Sequence, residues 1–117
     1  MSRRKWEFRL EDMLEASRKI ERYTAGLTFE DFVKDEKTID AVIRQLIILG
    51  EASSHIPEEI TSRAPEIPWP SMRGMRNVVV HDYMSVDMRV IWKTVTKDLP
   101  DMCSRLEDLQ NRFKQKN

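Results

Sequence analysis

Two long stretches of the chain repeat apolar residues at steps of three and four, and this spacing constrains the fold more than any other feature. The first stretch, from Arg4 to Thr24, contains neither proline nor glycine, and the second runs from about Glu36 to Ser54. Side chains at such steps share one face of an α-helix, so we predict two long amphipathic helices. The predicted apolar faces consist of Trp6, Leu10, Met13, Leu14, Ser17 and Ile20 in the first helix, and of Ile39, Val42, Ile43, Leu46, Leu49, Gly50 and Ser53 in the second.

Local signals predict two short helices and a rigid connection after the first long helix. Gly26 is suited to end that helix, and Thr28 to Asp31 resembles a capping box that opens a short helix. We expect its apolar side to be Phe29, Phe32 and Val33.

A second short helix is predicted at Pro57, because proline suits the first helical position and is followed by two acidic residues. Three further prolines between residues 65 and 70 prevent a continuous helix there. We therefore predict a rigid, extended connection from Ala64 to Trp69, with Trp69 anchored on the core.

The remaining third of the chain predicts three more helical segments. The first starts near Pro70 or Ser71 and loses its pattern near His81 to Ser85. Ser85 or Asp87 then caps a second helix, which Leu99-Pro100 interrupts, and Asp98 or Pro100 begins the last helix. The expected inward positions are Met72, Met75 and Val79, then Val86, Val90, Ile91, Thr94 and Val95, and finally Met102, Leu106, Leu109 and Phe113. Four long helices with short connections predict an all-α fold, an antiparallel four-helix bundle with additional short helices, as one domain over residues 1–117.

Composition excludes several classes of protein. The 117 residues include 20 basic and 20 acidic side chains, and this zero net charge argues against a polybasic nucleic-acid binder but not against a small phosphate site. A single Cys excludes an internal disulfide framework. No apolar run approaches the roughly 20 residues that span a bilayer, and the charged N-terminus lacks the apolar stretch of a secretory signal. We expect a cytoplasmic protein with no membrane partner.

Three single residues are first interpreted as structural. Gly50 in mid-helix indicates close approach of another backbone, either within the chain or, as the alternative, across a dimer contact. Cys103 is expected to be a buried, inert thiol. His55 is expected to cap carbonyl groups or to face water. With two His and one Cys, the sequence also has no spacing typical of a transition-metal site and no glycine-rich phosphate loop.

One segment combines side chains that could act on RNA. Arg76, Asn77, His81 and Tyr83 place a guanidinium, an amide, an imidazole and a phenol within eight residues. A guanidinium can donate two hydrogen bonds to a phosphate, and an imidazole can take up or release a proton near neutral pH. Without a metal, His81 could take the proton of a ribose 2′-OH while Arg76 stabilises the charge that grows on the phosphate. Asn77 could contact phosphate or orient His81.

The spacing of this segment leaves its geometry open. Residues five apart lie about 140° from each other around an ideal helix, so Arg76 and His81 do not share a face. Either the helix ends or distorts around Val80 and His81, or the long Arg76 side chain reaches across a groove, or each site draws on two chains. On spacing alone, a His at a helix end that caps carbonyls, beside a solvated Arg76, is the simpler interpretation.

Beyond this motif, the chain resembles the HepT-like family of HEPN proteins from about Asp12 to Leu109. The matching Arg-x4-His-x-Tyr pattern is formed by Arg76, His81 and Tyr83. The segments that carry the resemblance are Ile20 to Phe32, Asp40 to Leu46, Leu49-Gly-Glu-Ala52, Pro65-Glu-Ile-Pro-Trp69, Gly74 to Tyr83, Val86-Asp87 and Trp92. Relatives often carry an acid between Leu46 and Leu49, whereas this chain has Ile47 and Ile48.

The resemblance implies a homodimeric RNase toxin of a toxin–antitoxin pair. It implies that Arg76 and His81 are catalytic, that Asn77 assists, and that neither a metal nor another cofactor is required. The implied partner is a minimal nucleotidyltransferase antitoxin, which uses ATP to transfer AMP to Tyr83. A bulky, anionic adenylate there would exclude RNA by its size and its charge.

Charge placement along the chain is compatible with RNA, and other functions stay open. Arg73 and Arg76 have no acid near them in sequence until Asp82, so we hypothesise a basic surface around the motif with Arg73 as an RNA-binding residue. The alternatives are a non-catalytic module that docks the nucleotidyltransferase or binds nucleotide, and a purely structural helical dimer.

Overall fold

The chain folds into helices joined by turns, and no strand occurs among the residues that the structure describes. The structure is a computed structural model; it describes the backbone of residues 5–82 and 87–114, with the side chains of all of these except 77–82. The helices are α1 (Lys5–Thr24), α2 (Phe29–Val33), α3 (Glu36–Ser53), α4 (Glu58–Thr61), α5 (Trp69–Asp82), α6 (Met88–Lys93), a π-helical turn (Thr94–Asp98) and α7 (Leu99–Lys114). The prediction of an all-α fold is confirmed.

The apolar faces predicted for the two long helices form the centre of the core. All thirteen of the predicted positions on α1 and α3 are buried, and α1 packs against both α3 and α7, while α3 packs against α5. Within the described residues no helix is both long enough and apolar enough to cross a membrane. Helix α3 is therefore the element that links the core to α5, where the motif lies.

The signals between α1 and α3 act as predicted, with one exception. Helix α1 ends at Thr24, and Gly26 lies in the turn that follows. Gly26 has φ +78°, a conformation that glycine adopts without strain. Thr28 and Asp31 exchange both hydrogen bonds of the capping box. Phe32 is fully buried, but Val33 is 38% exposed, so its assignment to the apolar side is wrong. Phe32 and Val33 are adjacent in the single turn of α2, so only one of these two side chains can face the core.

The connection before α5 differs from the prediction. Residues 62–68 form consecutive turns rather than an extended segment, since the Ile67 N–H donates to the Ala64 carbonyl at 3.1 Å. Proline forbids helix here but is compatible with turns, so the sequence signal excluded one structure without selecting the other. The anchor is confirmed: Trp69 is buried, and its Nε1 donates to the Ala64 carbonyl at 3.0 Å.

The predicted break at Leu99-Pro100 is wrong. The π-helical turn leads directly into α7, and the Leu99 N–H donates to the Thr94 carbonyl five residues earlier. Pro100 has no N–H to donate, so widening the preceding turn lets the chain continue as a helix. Asp87 caps α6 as expected, but Val90 is 59% exposed instead of buried.

Most other inward positions of this region are confirmed where they are described. Met72, Ile91, Val95, Met102, Leu106 and Leu109 are buried, while Met75, Thr94 and Phe113 are half-buried. Cys103 is buried and free, and burial raises the pKa of its thiol, as expected for an inert residue. The positions Val79, Ser85 and Val86 lie outside the described residues or side chains.

Candidate functional site

Gly50 brings the backbone of α5 into contact with α3 at Arg76. A Cβ atom added at Gly50 would lie 2.8 Å from the Arg76 backbone nitrogen and 3.0 Å from the Met72 carbonyl oxygen. Both atoms belong to the backbone and cannot rotate away. The interpretation of Gly50 as a close helix contact within the chain is thus confirmed. The contact also fixes the place from which the Arg76 side chain extends.

Three polar side chains meet beside this contact and form what we call the Arg76 cluster: Glu51, His55 and Arg76. The Arg76 Nη1 donates to Glu51 Oε2, and the His55 Nε2 lies 3.3 Å from Glu51 Oε1. One carboxylate therefore uses its two oxygens to hold a guanidinium from α5 and an imidazole from the turn after α3. The three side chains are between 42% and 47% exposed, so a ligand in solution can reach all of them.

The cluster contains an acid that the sequence analysis did not assign to the site. Glu51 lies 25 residues before Arg76, so the absence of an acid near Arg76 in sequence did not predict its surroundings. The Arg76 guanidinium, and after it the His55 imidazole, lower the pKa of the Glu51 carboxyl. The carboxylate is therefore ionised at neutral pH and offsets the positive charge of Arg76. This acid beside Arg76 counts against the hypothesis of a basic surface around the motif.

His55 also differs in part from expectation. Its side chain is 47% exposed and so faces water as expected, but its ring also contacts the carboxylate of Glu51 in the preceding helix turn, which was not predicted. Two signals could have identified the pair. Glu51 and His55 are four residues apart, a spacing that brings side chains together on a helix, and Glu51 belongs to the Leu49–Ala52 segment that carries the family resemblance.

The other motif residues are only partly described. Helix α5 includes Val80 and His81 and ends at Asp82, the last residue described before residue 87, so the three geometries considered for the motif stay open. On a continuous helix the backbone positions of Arg76 and His81 lie about 140° apart around the axis. The side chains of Asn77 and His81 and the whole of Tyr83 lie outside the described residues.

Arg73 lies on α5 one turn before Arg76, and its side chain is exposed. Residues three apart on a helix are neighbours, so the two guanidinium groups lie on the same side of α5. Among the described side chains, no three His, Cys, Asp or Glu residues form a group that could hold a metal ion. The described site can thus offer cations and one carboxylate to a ligand.

Comparison with known proteins assigns the chain to a family. Residues 13–109 match the model of the ribonuclease HepT-like family. The chain belongs to this family. A protein of Thermococcus cleftensis named Probable ribonuclease HepT is 48% identical over 101 residues, which cover 86% of this chain and 92% of that protein. The resemblance inferred from the sequence is confirmed.

More distant members of the HepT-like family cover the chain equally well. A protein of Caldanaerobacter subterraneus that is named as a proposed RNase is 33% identical over 90% of this chain and 94% of its own length. Another from Methanocaldococcus jannaschii, named in the same way, is 34% identical over 92% of this chain and 98% of its own. No solved structure matches the chain significantly. The HepT-like region includes both the Arg76 cluster and the Arg-x4-His-x-Tyr motif.

Proposed function

We propose that this protein is the toxin of a toxin–antitoxin pair and that it cuts RNA without a metal ion. The observation that carries the proposal is its membership of the HepT-like ribonuclease family together with an intact Arg-x4-His-x-Tyr motif at Arg76, His81 and Tyr83. Several relatives are named as ribonucleases, which supports RNA cleavage as the activity. We expect the protein to act in the cytoplasm.

In the proposed reaction His81 takes the proton of a ribose 2′-OH, and the freed oxygen attacks the adjacent phosphorus. The bond from phosphorus to the 5′-oxygen breaks, that oxygen takes up a proton, and the products carry a 2′,3′-cyclic phosphate and a 5′-hydroxyl. Arg76 stabilises the negative charge that grows on the phosphate oxygens, while Asn77 supports the site and Arg73 binds the RNA backbone. The exposed guanidinium of Arg76 is consistent with this role.

The direct test is cleavage of RNA by the purified protein in the presence of EDTA. We expect cyclic phosphate ends, and we expect His81→Ala to abolish cleavage while the circular dichroism spectrum and the melting temperature stay unchanged. Equal cleavage by His81→Ala would refute the proposed mechanism. Binding of the antitoxin without cleavage of any RNA would instead favour the non-catalytic docking module.

We further propose that the long helices form an antiparallel four-helix bundle that pairs as a homodimer, and that each site combines Arg76 of one chain with His81 of the other. The continuous helix α5 supports a shared site, because the two positions point to different sides of its axis. A heterodimer of Arg76→Ala and His81→Ala chains keeps one intact shared site and should recover up to half of the activity. Sites within one chain predict no recovery.

The proposed partner is a minimal nucleotidyltransferase antitoxin that transfers AMP from ATP to the Tyr83 hydroxyl and releases pyrophosphate. Co-expression with this partner should increase the intact mass of the protein in AMP-sized steps, and Tyr83→Phe should remove the increase. The modified protein should no longer cleave RNA, because the adenylate adds bulk and negative charge beside the site. An unchanged mass in the presence of partner and ATP would refute this mode of regulation.

A further inference from the structure

If the proposed function holds, RNA must bind at the Arg76 cluster, and the contacts within this cluster oppose that binding. Arg76 already holds a carboxylate, Glu51, so a phosphate that approaches the guanidinium must compete with an existing anion. Releasing Glu51 without another partner would leave the carboxylate beside an incoming phosphate of the same charge. Repulsion between the adjacent carboxylate and phosphate would oppose binding of the RNA. The cluster must therefore change its charge distribution when RNA binds.

His55 is placed to make that change. Its Nε2 lies 3.3 Å from the Glu51 oxygen that does not hold Arg76. With a neutral imidazole the cluster has no net charge, since the carboxylate cancels the guanidinium. With a protonated imidazole the cluster carries one positive charge, and Glu51 keeps a cationic partner after Arg76 has moved to phosphate. The exposure of all three side chains allows this exchange without unfolding any helix.

We propose that His55 is a further RNA-binding residue, which in its protonated form retains Glu51 and so releases Arg76 to an RNA phosphate. The charged side chain in contact with His55 is Glu51 on α3; Glu58 and Glu59 follow it at the start of α4, and on α5 Arg76 shares Glu51 while Arg73 lies one turn earlier. RNA binding and proton binding at His55 favour each other, so RNA binding takes up a proton by thermodynamic reciprocity.

The test measures RNA affinity against pH in the His81→Ala protein. The chain has two His residues, so this variant leaves His55 as its one imidazole and also prevents cleavage during the measurement. We expect a single-stranded RNA to bind roughly three- to tenfold more tightly at pH 6 than at pH 8, the net effect of about one ordinary hydrogen bond. The slope of log affinity against log salt should steepen by roughly 0.7, as for one more phosphate contact.

Two variants at position 55 in the same background decide whether the imidazole is responsible. His55→Gln should bind weakly at both pH values, and His55→Arg should bind tightly at both, because its charge is permanent. Binding by His55→Gln that follows the pH dependence of the parent protein would overturn the proposal. Failure of every form to bind RNA would overturn it as well.

A third variant tests the competition for Arg76. Glu51→Gln should bind RNA more tightly than its parent at pH 8, since the guanidinium is then free of a carboxylate. Glu107→Gln is the matched control, because Glu107 pairs with Arg18 at 2.9 Å with similar exposure on the contact between α1 and α7. Weaker binding by Glu51→Gln would overturn the exchange. These outcomes concern binding alone, so they stay distinct from a failure of the protein to cleave RNA.

Discussion

Two arginine clusters of similar exposure lie in different parts of this molecule, and the difference between them separates a structural contact from a candidate site. In the Arg76 cluster, one carboxylate is shared by two basic groups. In the second, which we call the Arg112 cluster, the members are Arg63, Glu66, Arg105 and Arg112. There Arg112 donates to the Glu66 carboxylate at 2.7 Å and to the Arg63 carbonyl at 3.1 Å, while Arg105 donates to the Glu66 carbonyl.

The acceptors distinguish the two clusters, whereas exposure does not. The ion-paired side chains are 45% and 42% exposed in the Arg76 cluster and 47% and 38% exposed in the Arg112 cluster. Arginines of the Arg112 cluster bind backbone carbonyls of the turns at 62–68 and so attach that connection to α7. The hydrogen bond described for the Arg76 side chain goes to the Glu51 carboxylate, and a phosphate can replace that acceptor. The Arg112 cluster stabilises the fold, whereas the Arg76 cluster holds its cation on an acceptor that a ligand can replace.

Removal of the arginine side chains should give the largest contrast. We expect Arg76→Ala to lower the rate of RNA cleavage roughly 100- to 1,000-fold, the usual effect of deleting one group that stabilises transition-state charge. Arg112→Ala should keep nearly full activity and lower the melting temperature by a few degrees at most. Cleavage rates and thermal melts of both variants check this. Similar losses of activity in the two variants would remove the distinction between the clusters.

Glycine substitutions on α3 and α5, one inside the contact between the helices and one outside it, should give the next largest effect. Gly50→Ala places a methyl group against the backbone of Met72 and Arg76, and we expect it to lower the free energy of unfolding by about 1–3 kcal/mol and to reduce cleavage. Gly74→Ala is the matched control, because a Cβ there has no atom within 4 Å. It should stabilise α5 by up to about 1 kcal/mol. Urea unfolding measures both, and a neutral Gly50→Ala would contradict the close contact.

The connection held by the Arg112 cluster should respond to the loss of one hydrogen bond. Trp69→Phe removes one of two donors to the buried Ala64 carbonyl, which keeps its bond from the Ile67 N–H, and we expect a loss of about 0.5–1.5 kcal/mol of stability with cleavage retained. Trp92→Phe is the control, because its ring contact with Phe32, at 5.1 Å between centroids, can persist. An equal effect of both substitutions would show that ring size rather than the hydrogen bond matters.

The smallest predicted effect concerns the two carboxylates. The pKa of Glu51 is lowered first by Arg76, whereas that of Glu66 is lowered first by its own backbone N–H and then by Arg112. Arg76→Ala should therefore raise the pKa of Glu51 more than Arg112→Ala raises that of Glu66, as measured by NMR titration of the carboxyl carbons. Because both are lowered in the folded protein, their stabilising effect is present above the unfolded pKa and is lost as pH falls through the folded value. The opposite ranking would contradict the assigned causes.

Several parts of the fold were predictable because they depend on residues within one or two helical turns. The apolar faces of α1 and α3, the capping box at Thr28 and the cap at Asp87 follow from spacing and side-chain chemistry over short stretches. The errors arose where a local signal allows two structures. Prolines exclude helix but permit turns, as at residues 62–68, and a wider helical turn can accommodate Pro100.

The sequence by itself determined the helical class, the family and the motif at Arg76 and His81, because periodicity and motif spacing are written along the chain. Tertiary structure decided the partners of the motif. Glu51 and Arg76 are 25 residues apart and meet only because Gly50 lets α5 pack directly on α3. His55, which sequence reasoning had set apart from the site, joins it through the same carboxylate. A contact between distant helices depends on packing at both, and no local pattern in either helix specifies it.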